Sequence, residues 1–256
     1  MEGQGQDWPF QGEQNVYDIA EFFESYRSLR DRDTGLNAAL ERPSLIEQLP
    51  SLAGLRVLDL GCGFGDFARW ARSQGARNVL GVDISRRMLD EATRRTSDCG
   101  ISFLQSSIES FGFQTGSFEL VVSSLTLHYV KDFQTVAANV FDCLSPGGLF
   151  LFSVEHPICT AHPIGLATTE QGCAFWPVDR YAEEGSRQTN WFVEGVVKFH
   201  RTIESYVTAI LKSGFQLCHL GEPSPSPEAV LRRPDLKVHC VRPPLLVLAA
   251  RKPPAK

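Results

Sequence analysis

The 256-residue chain lacks the features that mark several common classes of protein. Its seven cysteines include no Cys-x-x-Cys pair, which argues against a disulfide framework and favours reduced thiols in a cytoplasmic protein. The longest apolar runs, near residues 149–154 and 245–250, are far shorter than a bilayer span, so no membrane partner is expected. A formal charge of −5 offers no basic field for a nucleic-acid backbone, so no nucleic-acid partner is expected either.

The amino-terminal residues are polar and acidic, and no apolar stretch behind them indicates a secretion signal. Hydrophobic residues make up 43% of the chain and charged residues 21%, close to globular averages, so this length allows a large buried core. No internal repeat or low-complexity block divides the sequence. We therefore expect residues 1–14 to be flexible and residues 15–256 to form a single domain.

Short apolar segments alternate with helical segments through the middle of the chain. Five of these segments predict strands, at residues 56–60, 78–82, 101–104, 118–123 and 149–154. Such alternation is typical of a parallel sheet with helices on both faces. Amphipathic segments at 15–30 and 38–49 predict two helices before the sheet, and residues 215–220 and 245–251 predict two closing strands.

The alternation stops at residue 156. Residues 156–197 contain three prolines and two of the four tryptophans, and no long helix is evident. Long irregular inserts in compact domains usually serve function, so we expect this segment to cover a substrate. A helix is predicted at 202–213, and the proline-rich segment 223–244 is predicted as a loop.

A glycine-rich turn follows the first predicted strand, with the sequence Asp59-Leu-Gly-Cys-Gly-Phe-Gly65. Glycines let the backbone approach a ligand, and the helix that follows supplies free N–H groups. Dinucleotide-binding loops carry a third glycine where Asp66 stands, and an acid there would repel a pyrophosphate. No Gly-Lys-Ser/Thr follows, which excludes a phosphate-binding P-loop.

A second carboxylate, Asp83, ends the second predicted strand, where an acid can accept hydrogen bonds from a ribose diol. Carboxylates at the ends of the first two strands suit a ligand that carries a cation and a ribose but no phosphate. The sequence thus disfavours NAD and FAD and favours a cationic nucleoside.

The segments VLDLGCGFGDF and GVDIS resemble those of class I S-adenosylmethionine-dependent methyltransferases. The similarity extends through FELVVSSLTLHYV and SPGGLFLFSVEHP to the closing strands, over roughly residues 15–252. The resemblance implies an α/β fold: a three-layer, Rossmann-like sheet of seven strands whose last hairpin is antiparallel. It also implies S-adenosylmethionine as cofactor and S-adenosylhomocysteine as product.

The resemblance further implies which residues bind the cofactor. Gly61 and Gly63 would pass under its methionine part, and Asp59 would orient the loop or bind the amino group, directly or through water. Asp83 would hold the ribose hydroxyls. Ser107 departs from the aspartate common in the family. The other predicted cofactor-binding residues are Tyr17, Tyr26, Cys62, Ile84, Met88, Ile108, Ser124 and Leu125.

Methyl transfer is an in-line displacement, so the protein mainly aligns the acceptor and needs a base only if a proton must leave. His156, after the fifth strand, is the leading candidate base, followed by His128 after the fourth strand and His200 before the late helix. Each of these histidines also has a purely structural interpretation. The predicted substrate-binding residues are Tyr129, Glu155, Trp191 and Arg201.

The predicted activity is methyl transfer to an oxygen or nitrogen of a small molecule. A protein, peptide or tRNA methyltransferase and a non-catalytic cofactor-binding scaffold are the alternatives. The Asp/Asn-Pro-Pro-aromatic signature of base-amino methylation is absent, because Ser124-Leu-Thr-Leu127 stands in its place. No metal is expected, since the cysteines lie far apart and no two histidines share a helical turn. The sequence leaves the acceptor and the oligomeric state open.

Overall fold

A computed structural model of the chain describes residues 14–32, 35–162 and 167–255. Residues 1–13, which form nearly all of the predicted flexible terminus, lie outside the described residues. No helix in the described ranges has both the length and the apolar character needed to cross a membrane. The strands are β1 Arg56–Leu60, β2 Asn78–Asp83, β3 Ile101–Gln105, β4 Phe118–Ser123, β5 Leu144–Glu155, β6 Ala167–Thr168, β7 Ala174–Phe175, β8 Gly185–Trp191, β9 Val193–His200, β10 Gln216–Gly221 and β11 Leu245–Arg251.

Seven of these strands form one sheet in the order β10-β11-β5-β4-β1-β2-β3. Strands β1 to β5 pair in parallel, whereas β11 runs antiparallel to both β5 and β10. The predicted seven-stranded sheet with its antiparallel closing hairpin is confirmed. The chain turns back between β3 and β4, so β1 and β4 flank a topological switch point, where ligands of such sheets bind.

The helices are α1 Ala20–Asp31, α2 Arg42–Gln48, α3 Asp66–Ser73, α4 Arg86–Arg94, α5 Phe133–Cys143, α6 Pro157–Thr160, α7 Ile203–Lys212 and α8 Pro227–Arg232. The sheet has a packed core on each face, which makes three layers. On one face, alternate residues such as Leu58 and Phe152 contact the buried side chains of α5 and α7. On the other face, Val57 and Leu151 pack with Ala68 and Ala71 of α3.

Several predicted boundaries differ from the structure for local reasons. The predicted helix at 15–30 is divided by the extended residue Ile19 into a 3-10 turn, Val16–Asp18, and α1. The predicted loop at 223–244 contains α8 and a 3-10 helix, Pro234–Cys240. Both begin with a proline, and the fixed φ of proline suits the first turn of a helix.

The insert at 156–197 contains more regular structure than the sequence indicates. Strands β8 and β9 form an antiparallel hairpin whose turn residue, Phe192, has a φ of +59°. Residues of β8 alternate between exposed and half-buried positions. The turn carries an aromatic residue where hairpins usually carry glycine or asparagine, which explains why the pattern gave no hairpin signal.

Candidate cofactor and acceptor site

The glycine-rich turn connects β1 to α3 along the carboxyl edge of the sheet. Gly61 and Gly63 have φ values of +76° and +50°, in the left-handed region that favours glycine. A Cβ atom at Gly61 would lie 2.2 Å from the Thr126 Oγ1 atom, whereas a Cβ atom at Gly63 would meet nothing within 4 Å. Gly61 therefore permits close packing with the segment after β4, and Gly63 borders open space.

Asp59, in β1, is buried with only 1% of its surface exposed. Its Oδ2 atom is buried and has no hydrogen-bond partner among the described residues. Burial, followed by the charges of Asp83, Asp66 and Glu41 in that order, raises the pKa of Asp59 to about 8. A buried carboxylate among other carboxylates is stabilised by a positively charged ligand.

Asp83 ties the end of β2 to the glycine-rich turn. Its Oδ2 atom accepts a hydrogen bond of 2.8 Å from the Gly63 N–H, and its Oδ1 atom accepts one of 2.9 Å from the Ser85 N–H. Burial raises the pKa of Asp83 to about 6 against the lowering effect of these bonds. Each carboxylate oxygen has two lone pairs, so Asp83 can still accept bonds from a diol.

Glu41 is a buried carboxylate that sequence reasoning missed. It lies in a π-helical turn, Asn37–Glu41, and only 2% of it is exposed. Its Oε1 atom accepts hydrogen bonds of 2.5 Å from the hydroxyls of Ser124 and Ser153. The sequence around it gives no local signal, because Glu41 reaches this position only through the packing of its helical turn against the strand ends.

The remaining predicted cofactor residues of the sheet edge lie in two settings. Met88 is buried with Phe23 and Phe64, and Ile108 belongs to the core on one sheet face. The Ser107 hydroxyl accepts a hydrogen bond from the Ser110 N–H. The Ile84 carbonyl oxygen accepts hydrogen bonds from the side chains of Asn15 and Gln105. Leu125 has a φ of +51°. Burial raises the pKa of the Cys62 thiol.

This part of the site fits S-adenosylmethionine by its chemistry. The unpartnered Asp59 oxygen and the neighbouring carboxylates suit a ligand with an ammonium and a sulfonium charge, and they disfavour a phosphate. Asp83 supplies acceptors for hydroxyl groups, and the open space beside Gly63 leaves room for a ligand against the backbone. The described residues include no group of three His, Cys, Asp or Glu side chains that could hold a metal ion.

Aromatic side chains from three parts of the chain meet beside these carboxylates. We call Tyr17, Phe22, Tyr26, Tyr129 and Trp191 the aromatic cluster. The Tyr17 ring lies 5.4 Å from the Tyr26 ring and 6.3 Å from the Tyr129 ring, centroid to centroid. Trp191 lies 6.1 Å from Tyr26, so the β8–β9 hairpin closes over the amino-terminal helix. Burial raises the pKa of Tyr26. The charge of Arg30 lowers this pKa, and the charges of Glu41, Asp83 and Asp66 raise it, so the cluster lies near these carboxylates.

His128, in the 3-10 turn Leu127–Tyr129 after β4, has one ring nitrogen engaged. Its Nδ1 atom accepts a 3.3 Å hydrogen bond from the Glu155 N–H. Burial, followed by the charges of Lys198 and Arg201, lowers the pKa of His128 well below 6.5. The ring is therefore neutral at pH 7, and its proton resides on Nε2. No hydrogen bond reaches Nε2 from the part of the chain that the structure describes.

His156 and His200 have both ring nitrogens engaged. In His156, Nδ1 accepts from the Ile158 N–H and Nε2 lies 2.8 Å from a Glu222 carboxylate oxygen. In His200, Nδ1 lies 2.7 Å from the Thr160 hydroxyl and Nε2 lies 2.9 Å from the Tyr181 carbonyl oxygen. These bonds leave neither ring a free lone pair, which is the geometry of structural histidines rather than of a general base.

Glu155 forms an ion pair with Lys198, a residue to which the sequence gave no role. The two charged atoms lie 2.6 Å apart, with 29% and 12% of the respective side chains exposed. The Lys198 Nζ atom also lies 5.6 Å from the centre of the Trp191 ring. The structure thus brings Glu155, Trp191 and Lys198 together, and His128 touches the same strand end.

Arg201 is directed away from this group. Its guanidinium donates hydrogen bonds to the carbonyl oxygens of Val130 and Lys131, at 2.5 Å and 2.7 Å. It also lies within 6 Å of the ring centres of Phe133 and Tyr206. The Arg201 side chain therefore joins the segment after β4 to the end of β9.

Comparison with known proteins agrees with this geometry. Residues 58–152 match the family model described as a methyltransferase domain. A structure described as an S-adenosylmethionine-dependent methyltransferase from Mesorhizobium loti is 44% identical, covers 85% of this chain and all of its own, and superposes with a TM-score of 0.80. An uncharacterized protein from Haemophilus influenzae is 33% identical over 93% of this chain and 97% of its own length.

Relatives with named reactions match a smaller part of the chain. A malonyl-[acyl-carrier protein] O-methyltransferase from Enterobacter lignolyticus is 33% identical over 43% of each protein. The extensive likeness to the Mesorhizobium loti protein, the matched domain and the site that fits a cationic nucleoside lead to one assignment. The chain belongs to the class I S-adenosylmethionine-dependent methyltransferases.

Proposed function

We propose that this methyltransferase transfers a methyl group to an oxygen or nitrogen of a small molecule that binds beneath the β8–β9 hairpin. The bound cofactor supplies a methyl group activated on a sulfonium centre. The observation that carries this proposal is the aromatic cluster, which lies beside both the carboxylates of the glycine-rich turn and the Glu155–Lys198 pair. Aromatic walls with a few polar groups are typical of small-molecule pockets.

In this proposal, the residues at the edge of the sheet bind the cofactor. Asp59 receives the amino group, because its Oδ2 atom is buried and unpartnered within the described ranges. Asp83 accepts bonds from the ribose hydroxyls while it holds the turn at the Gly63 N–H. The methionine part occupies the space beside Gly63. Met88 and Ile108 supply apolar surface to the adenine side, where Ser107 offers a hydroxyl.

His128 positions the acceptor rather than removing its proton. Because Nδ1 accepts from the Glu155 N–H, the neutral ring can only donate from Nε2. A donor at this place can hold an acceptor oxygen by one lone pair and leave another to attack; a nitrogen acceptor has a single lone pair, so there the donor would hold a neighbouring polar atom of the substrate instead. His156 and His200 are assigned structural roles, since both nitrogens of each ring are engaged. Alignment alone can account for about 7–11 kcal/mol of rate acceleration.

The acceptor is expected to carry both an apolar ring or chain and a polar group. The rings of Tyr129 and Trp191 offer apolar contact, and Glu155 and Lys198 offer one charge of each sign. A charged pair that is only partly exposed can select a polar group through hydrogen bonds at modest desolvation cost. Malonyl-[acyl-carrier protein] and demethylmenaquinone belong in the test set. This chain matches a malonyl-[acyl-carrier protein] O-methyltransferase over 43% of that protein and a demethylmenaquinone methyltransferase over 59% of that protein.

We infer a cytoplasmic enzyme built as one domain over residues 15–256, with 156–197 as its substrate cover. The seven cysteines are all free thiols, which supports a reducing compartment. Strand β9 of the cover is followed directly by α7, which packs in the core of the main sheet. This continuity supports a cover that belongs to the domain.

The test is transfer of isotopically labelled methyl from S-adenosylmethionine to a metabolite extract and to the two named acceptors. We expect label in a small molecule, with the rate reduced at least tenfold by Glu155→Gln. Glu183→Gln is the matched control, because Glu183 is exposed and pairs only locally with Arg180. Label found only in RNA or in protein, malonyl-[acyl-carrier protein] included, would overturn the small-molecule proposal, as would an unchanged rate in Glu155→Gln.

A further inference from the structure

A second group of polar side chains lies away from the cofactor turn, where the insert meets the segment before β11. The Arg242 guanidinium carbon lies 3.5 Å from the centre of the Trp176 ring, a close cation–π stack. Among the described residues, three buried nitrogen atoms here have no hydrogen-bond partner: Trp176 Nε1, Arg242 Nε and His239 Nδ1. Unsatisfied buried polar atoms are rare in folded proteins, and a missing ion or ligand is one physical explanation for them.

The charge of Arg242 acts on its surroundings, and no carboxylate of the described residues forms a salt bridge with it. Burial lowers the pKa of His239, and Arg242 is the next largest cause. Burial also lowers the pKa of His156, and Arg242 adds to this effect against Glu222. Burial raises the pKa of the Cys159 thiol to about 12, and the Arg242 guanidinium opposes this effect through its charge and a side-chain hydrogen bond. The positive charge of Arg242 therefore affects the pKa values of three neighbouring groups.

The nearby carboxylates are committed elsewhere. Asp235 pairs with Arg233 at 2.7 Å, and Glu222 lies 2.8 Å from His156. No salt bridge to Arg242 is found within the described ranges. A half-buried cation without a counter-charge is unfavourable, so an anion that reached it would be bound with little competition from the protein.

We propose that Arg242, Trp176 and His239 form an anion-binding site for a carboxylate or phosphate group of a small metabolite. The guanidinium supplies the charge, and the indole Nε1–H and the imidazole supply further hydrogen bonds. The Trp176 ring holds the guanidinium in a fixed plane, which prepares it for an oxyanion. The site joins the insert to the carboxyl-terminal segment and does not depend on the identity of the methyl acceptor.

The test is calorimetric titration of the full chain with inorganic phosphate and with acetate, at ionic strength held constant with sodium chloride. We expect saturable binding of at least one anion, weakened at least tenfold by Arg242→Gln. Trp176→Phe keeps a ring beneath the guanidinium but removes the Nε1 donor, and it should weaken binding severalfold. Arg232→Gln is the matched control, because Arg232 is an exposed arginine on α8; it should bind as the wild type does.

The two probes separate the sources of the anionic group. Binding of phosphate alone assigns the site to phosphorylated ligands, and binding of acetate alone assigns it to carboxylates. The proposal is overturned if neither anion binds saturably, or if Arg242→Gln binds as well as the wild type. Should Arg242→Gln fail to fold, undiminished binding in Trp176→Phe would overturn the proposed role of the indole donor.

Discussion

At the scale of single residues, the pKa of Asp59 couples protein stability to the cationic ligand that we propose for it. Folding buries its carboxylate and raises its pKa from 3.8 to about 8. The folded state therefore binds a proton that the unfolded state releases, and this contribution to stability is lost as the pH rises from about 4 to about 8. A cationic ligand would reverse the effect, because it favours the ionised carboxylate.

Asp59→Asn should raise the free energy of unfolding of the ligand-free protein at pH 8 by at most about 6 kcal/mol, because the pKa shift of about four units corresponds to about 1.4 kcal/mol per unit. The same change should weaken S-adenosylhomocysteine binding at least tenfold. Urea unfolding and calorimetry measure the two effects. In the wild type, affinity should increase between pH 6 and pH 8, whereas in Asp59→Asn this increase should disappear. A variant that is both less stable and unchanged in affinity would contradict this account.

The two glycines of the turn allow a matched pair of substitutions. Gly61→Ala places a Cβ atom 2.2 Å from Thr126 at a φ of +76°, so it should lower the free energy of unfolding by about 3 kcal/mol. Gly63→Ala meets no protein atom and should cost about 1 kcal/mol through its φ of +50° alone. Its larger effect should be weaker S-adenosylhomocysteine binding, by at least tenfold. Equal stability losses in the two variants, measured by urea unfolding, would refute the distinction.

At the scale of elements, Arg201 joins the end of β9 to the turn after β4. Its guanidinium satisfies the carbonyls of Val130 and Lys131. Arg201→Lys keeps the charge but loses the planar donor geometry, and we expect the free energy of unfolding to fall by about 2 kcal/mol. Arg27→Lys is the control, because the Arg27 side chain is 43% exposed and its described contacts, with Glu24 and the Phe23 ring, stay within its own helix. If thermal and urea unfolding of Arg201→Lys matched the wild type, the structural role would be wrong.

The elements also show how far sequence patterns reach. Strands such as β1 and β4 are mainly apolar runs beside turns, and the predicted boundaries of both were confirmed, because burial on both sheet faces favours nearly continuous apolar runs. The β8–β9 hairpin was not predicted, since its partly exposed strands carry mixed polar residues and its turn lacks glycine. The local sequence pattern alone does not predict a hairpin of this kind.

The site, too, contains some residues that the sequence pattern marks and others that only the folded structure reveals. Asp59 and Asp83 were proposed as site residues because Asp59 lies in one apolar strand and Asp83 ends the next, each within a motif. Glu41 and Lys198 were not, since nothing near them in the sequence marks the contacts that they make across 83 and 43 residues. His156 and His200 show how little position alone says about the role of a histidine. Their positions suggest a base, but their tautomers depend on hydrogen-bond partners that only the folded structure reveals.

At the scale of the whole molecule, histidines determine the response to acid. Burial lowers the pKa of His128, His156, His200 and His239 below 6.5. Each therefore binds a proton more readily when unfolded, so its stabilising effect is complete above pH 6.5 and is lost as the pH falls below that value. Asp59 and Asp83 act in the opposite direction, but between pH 6.5 and pH 5 each holds at most one extra proton in the folded state, against up to four protons that the histidine rings take up on unfolding.

The free energy of unfolding of the ligand-free protein should accordingly fall between pH 6.5 and pH 5. Urea unfolding at half-unit steps of pH measures this dependence, and the histidine ring resonances report the individual pKa values. The His128 resonance should not shift above pH 6, in contrast to an exposed histidine. A free energy of unfolding that stayed constant or rose on acidification would contradict the burial of neutral rings.

The reversed strand β11 has a consequence for synthesis on the ribosome. It fills the place between β5 and β10, yet 96 residues separate the end of β5 at Glu155 from the end of β11 at Arg251. At about 5–20 residues per second, the nascent chain would hold an unpaired β5 edge for about 5–20 s. Such an edge is a template for aggregation, so chaperones that shield it during translation should raise the yield of folded enzyme. Ribosome-stalled chains that end before Leu245 should be cleaved by protease near β5, and resistance there would refute this expectation.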